Sequence, residues 1–178
     1  MFLAFSAFLG GTSHLLDLYL GKNPHLIAWT MQGISILFIQ IASLKLLSPS
    51  KMKVFLKAVI FAFFGIFISQ VFTVQHFDVV KVNSIVGLIG FVSFIHVYKY
   101  FQERNIAYLR IPFAIALFAI PAMIHSFGIF YNEWIDQNVI SHVLLLPCYY
   151  LLYTGLKQVA LLKKKIQPIP QSVPLEER

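Results

Sequence analysis

The chain has 178 residues, of which 58% are hydrophobic and only 12% are charged. A soluble domain of this length has no interior large enough for so much apolar surface, and the single cysteine, Cys148, excludes a disulfide scaffold within one chain. The net charge of +7 does not indicate nucleic-acid binding, because the lysines and arginines lie in short gaps between long apolar stretches. The composition predicts an all-α polytopic membrane protein.

Six stretches are long enough to cross a hydrocarbon core of about 30 Å at about 1.5 Å per residue. They are residues 2–20, 25–47, 54–74, 79–101, 111–131 and 139–162. The fourth is the least regular, because Lys81, Asn83 and Ser84 give it a polar start. Those side chains are expected to snorkel or to face other helices.

Short turns join the stretches, which predicts one domain of six transmembrane helices over residues 1–165. Residues 166–178 contain three prolines that block a helix, so they are expected to form a flexible cytoplasmic tail. The first stretch lacks the basic start of a signal peptide and is expected to remain as a mature helix.

The basic residues are distributed unevenly between the two ends of this bundle. Twelve of the 14 lysines and arginines fall at one end, and only Lys22 and Lys81 fall at the other. By the positive-inside rule both termini are cytoplasmic, and the loops near 21–24, 75–78 and 132–138 face outward. The bacterial inner membrane is the expected location.

Most of the histidines are expected at the outer end of the bundle. They are His14, His25, His76, His125 and His142. An ionisable group within a span is costly, so it usually faces the bundle interior, a wet cavity or a partner. His96 lies at the cytoplasmic end, where an interfacial position without a specific role is expected.

Two pairs of polar residues share a helix face in this region. His14 and Asp17 are three residues apart, and Asn138 and His142 are four apart. The pair Gly10 and Gly11, one turn before His14, leaves room for another helix to place a ligand opposite.

Two prolines lie near this polar cluster. Pro121 precedes His125 by four residues, and Pro147 follows His142 by five. Either proline is expected to kink its helix and free a backbone carbonyl, which a membrane tolerates beside neighbouring helices or a cavity.

These side chains predict a metal site. Three imidazoles and a water form a catalytic zinc site, in which the bound water becomes a nucleophile. The best trio is His14 and His142 with either His125 or His76. Asp17 or Asp136 would orient a ligand or act as general base; these are the candidate catalytic residues.

The same residues resemble motifs of the seven-helix membrane superfamily that joins alkaline ceramidases, progestin/adipoQ receptors and hemolysin III proteins. Gly10-Gly-Thr-Ser-His14 resembles a Ser-x-x-x-His motif in the second helix, with Gly in place of Ser. Asn138-Val-Ile-Ser-His142 resembles a His-x-x-x-His motif at the start of the last helix, with Asn in place of the first His. The run from Asp136 also resembles an uncharacterised bacterial branch with an Asp-x-Asn-x-x-x-His last helix.

The resemblance implies a seven-helix fold that lacks its first helix here, since the His14 helix would be the second. It also implies that His14 and His142 bind zinc, and that Asn138 replaces a ligand or orients one. A third ligand would come from His125, His76 or Asp17. The leading hypothesis is a metal-dependent hydrolase of an amide or ester bond in a membrane lipid.

Two other kinds of function fit the same sequence. A non-enzymatic transporter or pH-responsive sensor would use histidines that titrate between about pH 5 and 8. A structural or partner-binding subunit would use Gly10, Gly11 and other small residues to pack against another helix. The substrate and the oligomeric state are left open by the sequence.

Overall fold

A computed structural model describes residues 2–129, 131–132 and 136–166; of residues 2, 4, 14–18, 138 and 163–166 it describes the backbone alone. Within these ranges every regular element is helical, as the composition predicts. The long helices are α1 (Phe2–Leu20), α2 (Asn23–Leu44), α3 (Lys51–Thr73), α4 (Phe77–Glu103), α5 (Ile106–Phe127) and α6 (Gln137–Ile166).

Among the residues whose side chains the structure describes, five helices can span a membrane. The helices α2 to α5, together with Val139–Leu162 of α6, are long and apolar enough to do so. The chain is therefore an integral membrane protein. The expected cytoplasmic tail lies outside the described residues, apart from Ile166 at the end of α6.

The helix ends differ from the predicted limits by a few residues for local reasons. Helix α3 begins before the predicted residue 54, because the Ser50 hydroxyl accepts a hydrogen bond of 3.2 Å from the Lys53 amide and caps the helix. Helix α5 ends before the predicted residue 131, because Gly128 adopts a left-handed conformation with φ of 63° that terminates it.

Helix α4 has an irregular middle. Its residues Ile85–Ser93 form a π-helix between two α-helical halves, Phe77–Ser84 and Phe94–Glu103. A π-helix closes its hydrogen bonds from residue i to i+5, so each turn takes about one residue more than an α-turn. The two halves of α4 are therefore out of the register that one continuous α-helix would give.

The two prolines behave differently. Helix α5 is interrupted at Phe118, three residues before Pro121, whereas α6 remains helical through Pro147. The break follows from the missing proline N–H. The hydroxyl of Ser141 on α6 donates a hydrogen bond of 3.0 Å to the carbonyl oxygen of Pro121, so the neighbouring helix supports the interrupted segment.

The helices pack in a closed ring. Helix α1 packs on α2 and α6, α2 on α3 and α4, α4 on α5, and α5 on α6. Several glycines allow close contacts: a Cβ at Gly33 would overlap the ring of Phe67, and one at Gly87 would lie 2.6 Å from Ile36. Such small residues let the backbones of membrane helices approach each other.

The two ends of the bundle are distinguished by their junctions. We call one end the histidine end; the helices there are joined by residues 21–22, 74–76 and 128–136. The other end, where residues 45–50 and 104–105 join the helices, is called the basic end. A chain of ring contacts confirms that the first set lies together, as described below.

Candidate functional site

His142 on α6 packs against the two consecutive glycines of α1. A Cβ built on Gly10 would lie 3.3 Å from His142 Cε1, and one on Gly11 would lie 3.9 Å from His142 Cδ2. The absence of side chains at these positions therefore makes space for the imidazole. His14 occupies the next turn of the same helix, four residues after Gly10.

A second histidine is tied to the same turn of α1. Ser13 is almost fully buried, and its hydroxyl lies 2.6 Å from the Gly10 carbonyl oxygen, to which it donates. The same oxygen atom of Ser13 lies 2.8 Å from Nδ1 of His25 at the start of α2. The residues Ser13 and His25 were not among the expected site residues, and only their spacing around the α1–α2 turn could have indicated them.

Rings connect His25 to His125 across the histidine end. The centroids of His25 and Trp29 are 6.0 Å apart, those of Trp29 and Phe77 are 6.1 Å apart, and those of Phe77 and His125 are 5.1 Å apart. This row joins the beginnings of α2 and α4 to the last turn of α5. His125 thus has an aromatic neighbour, Phe77.

His76 lies at the surface of this end, with its side chain 67% exposed. Its Nδ1 atom lies 3.0 Å from Asp78 Oδ2 and 3.3 Å from the Asp78 amide nitrogen, where it caps α4. Asp78 also pairs with Lys81 at 3.2 Å. His76 therefore acts as the N-cap of α4.

Asp136 caps the start of α6. Its Oδ1 accepts a hydrogen bond of 2.9 Å from the Val139 amide, and its carbonyl oxygen accepts one of 3.1 Å from the Ile140 amide. This is the geometry of a helix N-cap, which also places a negative charge at the positive end of the helix dipole.

The capping contact gives a measurable expectation. Replacing Asp136 by alanine should lower the free energy of unfolding by about 1 kcal/mol, whereas Asp136→Asn should lose much less, because asparagine caps helices as well as aspartate does. Thermal unfolding of the purified variants measures both. Equal losses in the two variants would show that the charge, rather than the hydrogen bond, stabilises the start of α6.

The structure does not describe the side chains of all the expected metal ligands. It describes only the backbone of His14, Asp17 and Asn138. Among the side chains that are described, no three of His, Cys, Asp or Glu lie close enough together to hold a metal ion. A zinc site with three protein ligands would therefore have to include a residue whose side chain is not described, such as His14 or Asp17.

A different histidine is buried at the basic end. His96 is only 1% exposed, and its Nε2 lies 3.3 Å from the Ser43 hydroxyl on α2. The ring of Tyr108 is 6.3 Å away, and the Tyr108 hydroxyl donates a 2.6 Å hydrogen bond to Glu103, which pairs with Lys99 at 2.7 Å. His96 is therefore packed inside the bundle, while its expected depth at the membrane interface stays a prediction.

The comparisons with other proteins identify one family. A model described as a family of unknown function matches residues 1–161 of the chain. No curated protein and no solved structure matches it. The matched range runs from the first residue into the last turns of α6, so it contains Gly10, Gly11 and all six histidines.

Proposed function

The chain belongs to DUF6962, a family of unknown function, and we propose that it is a metal-dependent hydrolase of an amide or ester bond in a membrane lipid. The contact between His142 and the Gly10–Gly11 turn supports this proposal most directly. It joins the two segments whose motifs resemble those of the ceramidase superfamily. The missing side chains leave a space into which a histidine ring fits.

The donor set fits zinc through imidazole nitrogens. His142 and His14 would hold the ion, and His125, His76 or Asp17 would supply a third ligand. A bound zinc ion lowers the pKa of its water to about 7, which makes the water a nucleophile toward a carbonyl carbon.

The remaining residues position groups and move protons. Asp17 or Asp136 would accept the proton of the attacking water or orient a histidine ligand. Asn138, one turn before His142, would orient the ring through its amide group. The buried hydroxyl of Ser13 holds His25 beside the same turn of α1.

The membrane arrangement that accompanies this function has six spans, with α1 as the first. Both termini would be cytoplasmic and the histidine end outside, because 12 of the 14 basic residues lie at or near the other end. The six helices would correspond to six helices of the seven-helix superfamily fold, in a bacterial inner membrane.

The decisive experiment is metal analysis of the purified protein. The wild type is expected to retain about one zinc ion per chain, and His14→Ala and His142→Ala are expected to lose it. Hydrolysis of N-acyl and O-acyl lipid probes should fall by more than about 100-fold in both variants. His125→Ala and His76→Ala then identify the third ligand.

His96→Leu provides the matched control, because it removes an imidazole from the other end of the bundle. It should retain zinc. Equal zinc contents in the wild type, His14→Ala and His142→Ala would contradict the proposal.

A pH-responsive sensor or transporter is the second candidate. It is supported by the presence of four described histidines at one end: His25, His76, His125 and His142. Imidazoles change charge between about pH 5 and 8. A protein that binds no zinc and cleaves no lipid, but whose solute flux follows external pH, would replace the hydrolase proposal with this one.

A further inference from the structure

Two amide side chains face a groove between α3 and α4. Asn83 on α4 is 4% exposed, and its Nδ2 atom has no hydrogen-bond partner among the described residues. Gln70 on α3 lines the same groove, and its side chain is exposed. Both lie within helices that can span a membrane.

The groove is mostly apolar, with a single amide among the side chains at its floor. Asn83 and the buried ring of Phe67 form the floor, while Ile66 and Val82, each more than half exposed, stand at the rim. The groove is therefore reached from the side of the bundle, where the membrane lies. No charged residue lines it. The side chains that line the groove can therefore form hydrogen bonds through the amides of Gln70 and Asn83 but carry no charge.

Unsatisfied amides are costly in the hydrocarbon region, because neither water nor lipid tails can pair with them. The residue next to Asn83 does have a partner within the bundle, since the Gln32 side chain on α2 donates a 3.2 Å hydrogen bond to the Ser84 hydroxyl. The Nδ2 atom of Asn83 has no such neighbour in the described residues. The occupant of the groove should supply an acceptor for the Asn83 amide.

The depth of the two amides indicates which acceptor is nearby. Helix α4 has 27 residues, or about 40 Å, which matches a bilayer including its headgroups. Gln70 lies three residues from the end of α3, and Asn83 lies six from the start of α4. At about 1.5 Å per residue they are about 5 and 9 Å below the helix ends, near the hydrocarbon boundary where acyl ester carbonyls lie.

The volume of the groove is consistent with a segment of a lipid rather than a whole molecule. It measures about 150 Å³. This is room for several groups of the size of a water molecule, enough for one carbonyl and the first carbons of a chain.

From these observations we propose that the groove between α3 and α4 binds the acyl ester region of a membrane diacyl lipid, whose carbonyl oxygen accepts a hydrogen bond from Asn83. Gln70 donates a second hydrogen bond at the rim, and the chain continues past Ile66 and Val82 into the bilayer. This site is separate from the histidines and does not depend on hydrolysis.

The test compares two lipids that differ only in the carbonyl. Full-length protein is purified in detergent and supplied with diacyl phosphatidylcholine or with the dialkyl ether analogue of the same chain length. We expect the diacyl lipid to raise the unfolding temperature of the wild type by about 2–4 °C more than the ether lipid. Asn83→Leu and Gln70→Leu should each reduce that difference.

The controls separate recognition from general stability. Gln102→Leu removes an exposed amide at the opposite end of α4 and should keep the full difference between the two lipids. If Asn83→Leu does not fold, the exposed Gln70 still provides a variant that can be measured. Equal stabilisation of the wild type by both lipids would overturn the proposal.

A second copy of the chain is the competing occupant. If the amides paired across a dimer, Gln70→Leu would change the molecular mass of the detergent-solubilised protein from dimer to monomer. That result, with the lipid preference unchanged, would also overturn the proposal.

Discussion

Replacing Gly33 by leucine is expected to destabilise the bundle strongly. A Cβ at this position would overlap the ring of Phe67, which is only 2% exposed and lies between α2 and α3. The two helices would have to separate, or the ring would have to leave its packed position. Overpacking of this kind costs about 1–3 kcal/mol, and leucine adds three more carbons beyond the Cβ. Thermal unfolding measures the loss.

A glycine without neighbours provides the matched control. Gly65 is exposed on α3, and a Cβ there meets no atom within 4 Å outside its own helix segment. Gly65→Leu should therefore leave the stability unchanged or raise it slightly, because leucine favours helices more than glycine does. Adding Phe67→Ala to Gly33→Leu should recover part of the loss. A similar loss in Gly33→Leu and Gly65→Leu would contradict the packing argument.

Replacing Gly10 by leucine is expected to remove the function while the other helices remain folded. The new Cβ would lie 3.3 Å from His142 Cε1, and the rest of the leucine would occupy the space of the ring. His142 would then turn away from α1. Under the hydrolase proposal, zinc content and lipid cleavage should fall as far as they do in His142→Ala. Gly10→Ala should have an intermediate effect, because only one methyl group has to be accommodated.

The position of His142 can also be tested without any metal. In a Cys148→Ala background, Gly11→Cys and His142→Cys are expected to cross-link on mild oxidation, because a Cβ at residue 11 lies 4.0 Å from Cγ of His142. Gly65→Leu is again the control for a bulky side chain in a span. If no cross-link forms and Gly10→Leu keeps wild-type zinc, α1 and α6 do not meet at this point.

The sequence predicts the helices well because hydropathy and length determine them. The five spanning helices overlap the predicted stretches. The ends are less predictable, since they depend on single contacts such as the Ser50 cap. The pair Gly10 and Gly11 predicted that another helix would approach α1, and His142 of α6 packs against these glycines.

The burial of His96 could not be predicted, because periodicity assumes a regular helix. At 100° per residue, an α-helix would place His96 about 160° from buried Val80 and Phe94 only about 40° from it. The structure has the opposite arrangement, with His96 at 1% exposure and Phe94 at 69%. The π-helix Ile85–Ser93 accounts for the change, since its extra residues per turn shift the register.

Individual side-chain partners were also beyond prediction. Ser13 and His25 flank the short turn between α1 and α2, but the sequence does not indicate which side chain of α1 meets His25 at 2.8 Å. The acid–base role expected for Asp136 stays a prediction, and the contact of its carboxylate with the Val139 amide could not be predicted, because it depends on where α6 begins.

The contact between Gly10 and His142 also determines when the site can form during synthesis. These residues are separated by most of the chain, and they belong to the first and the last helix. A contact between such distant segments requires a long loop to close, so it forms only when the intervening helices have been inserted and ordered. A nascent chain that lacks α6 has its glycine face open to lipid. Insertion of α6 and formation of the contact between Gly10 and His142 are thus the same event.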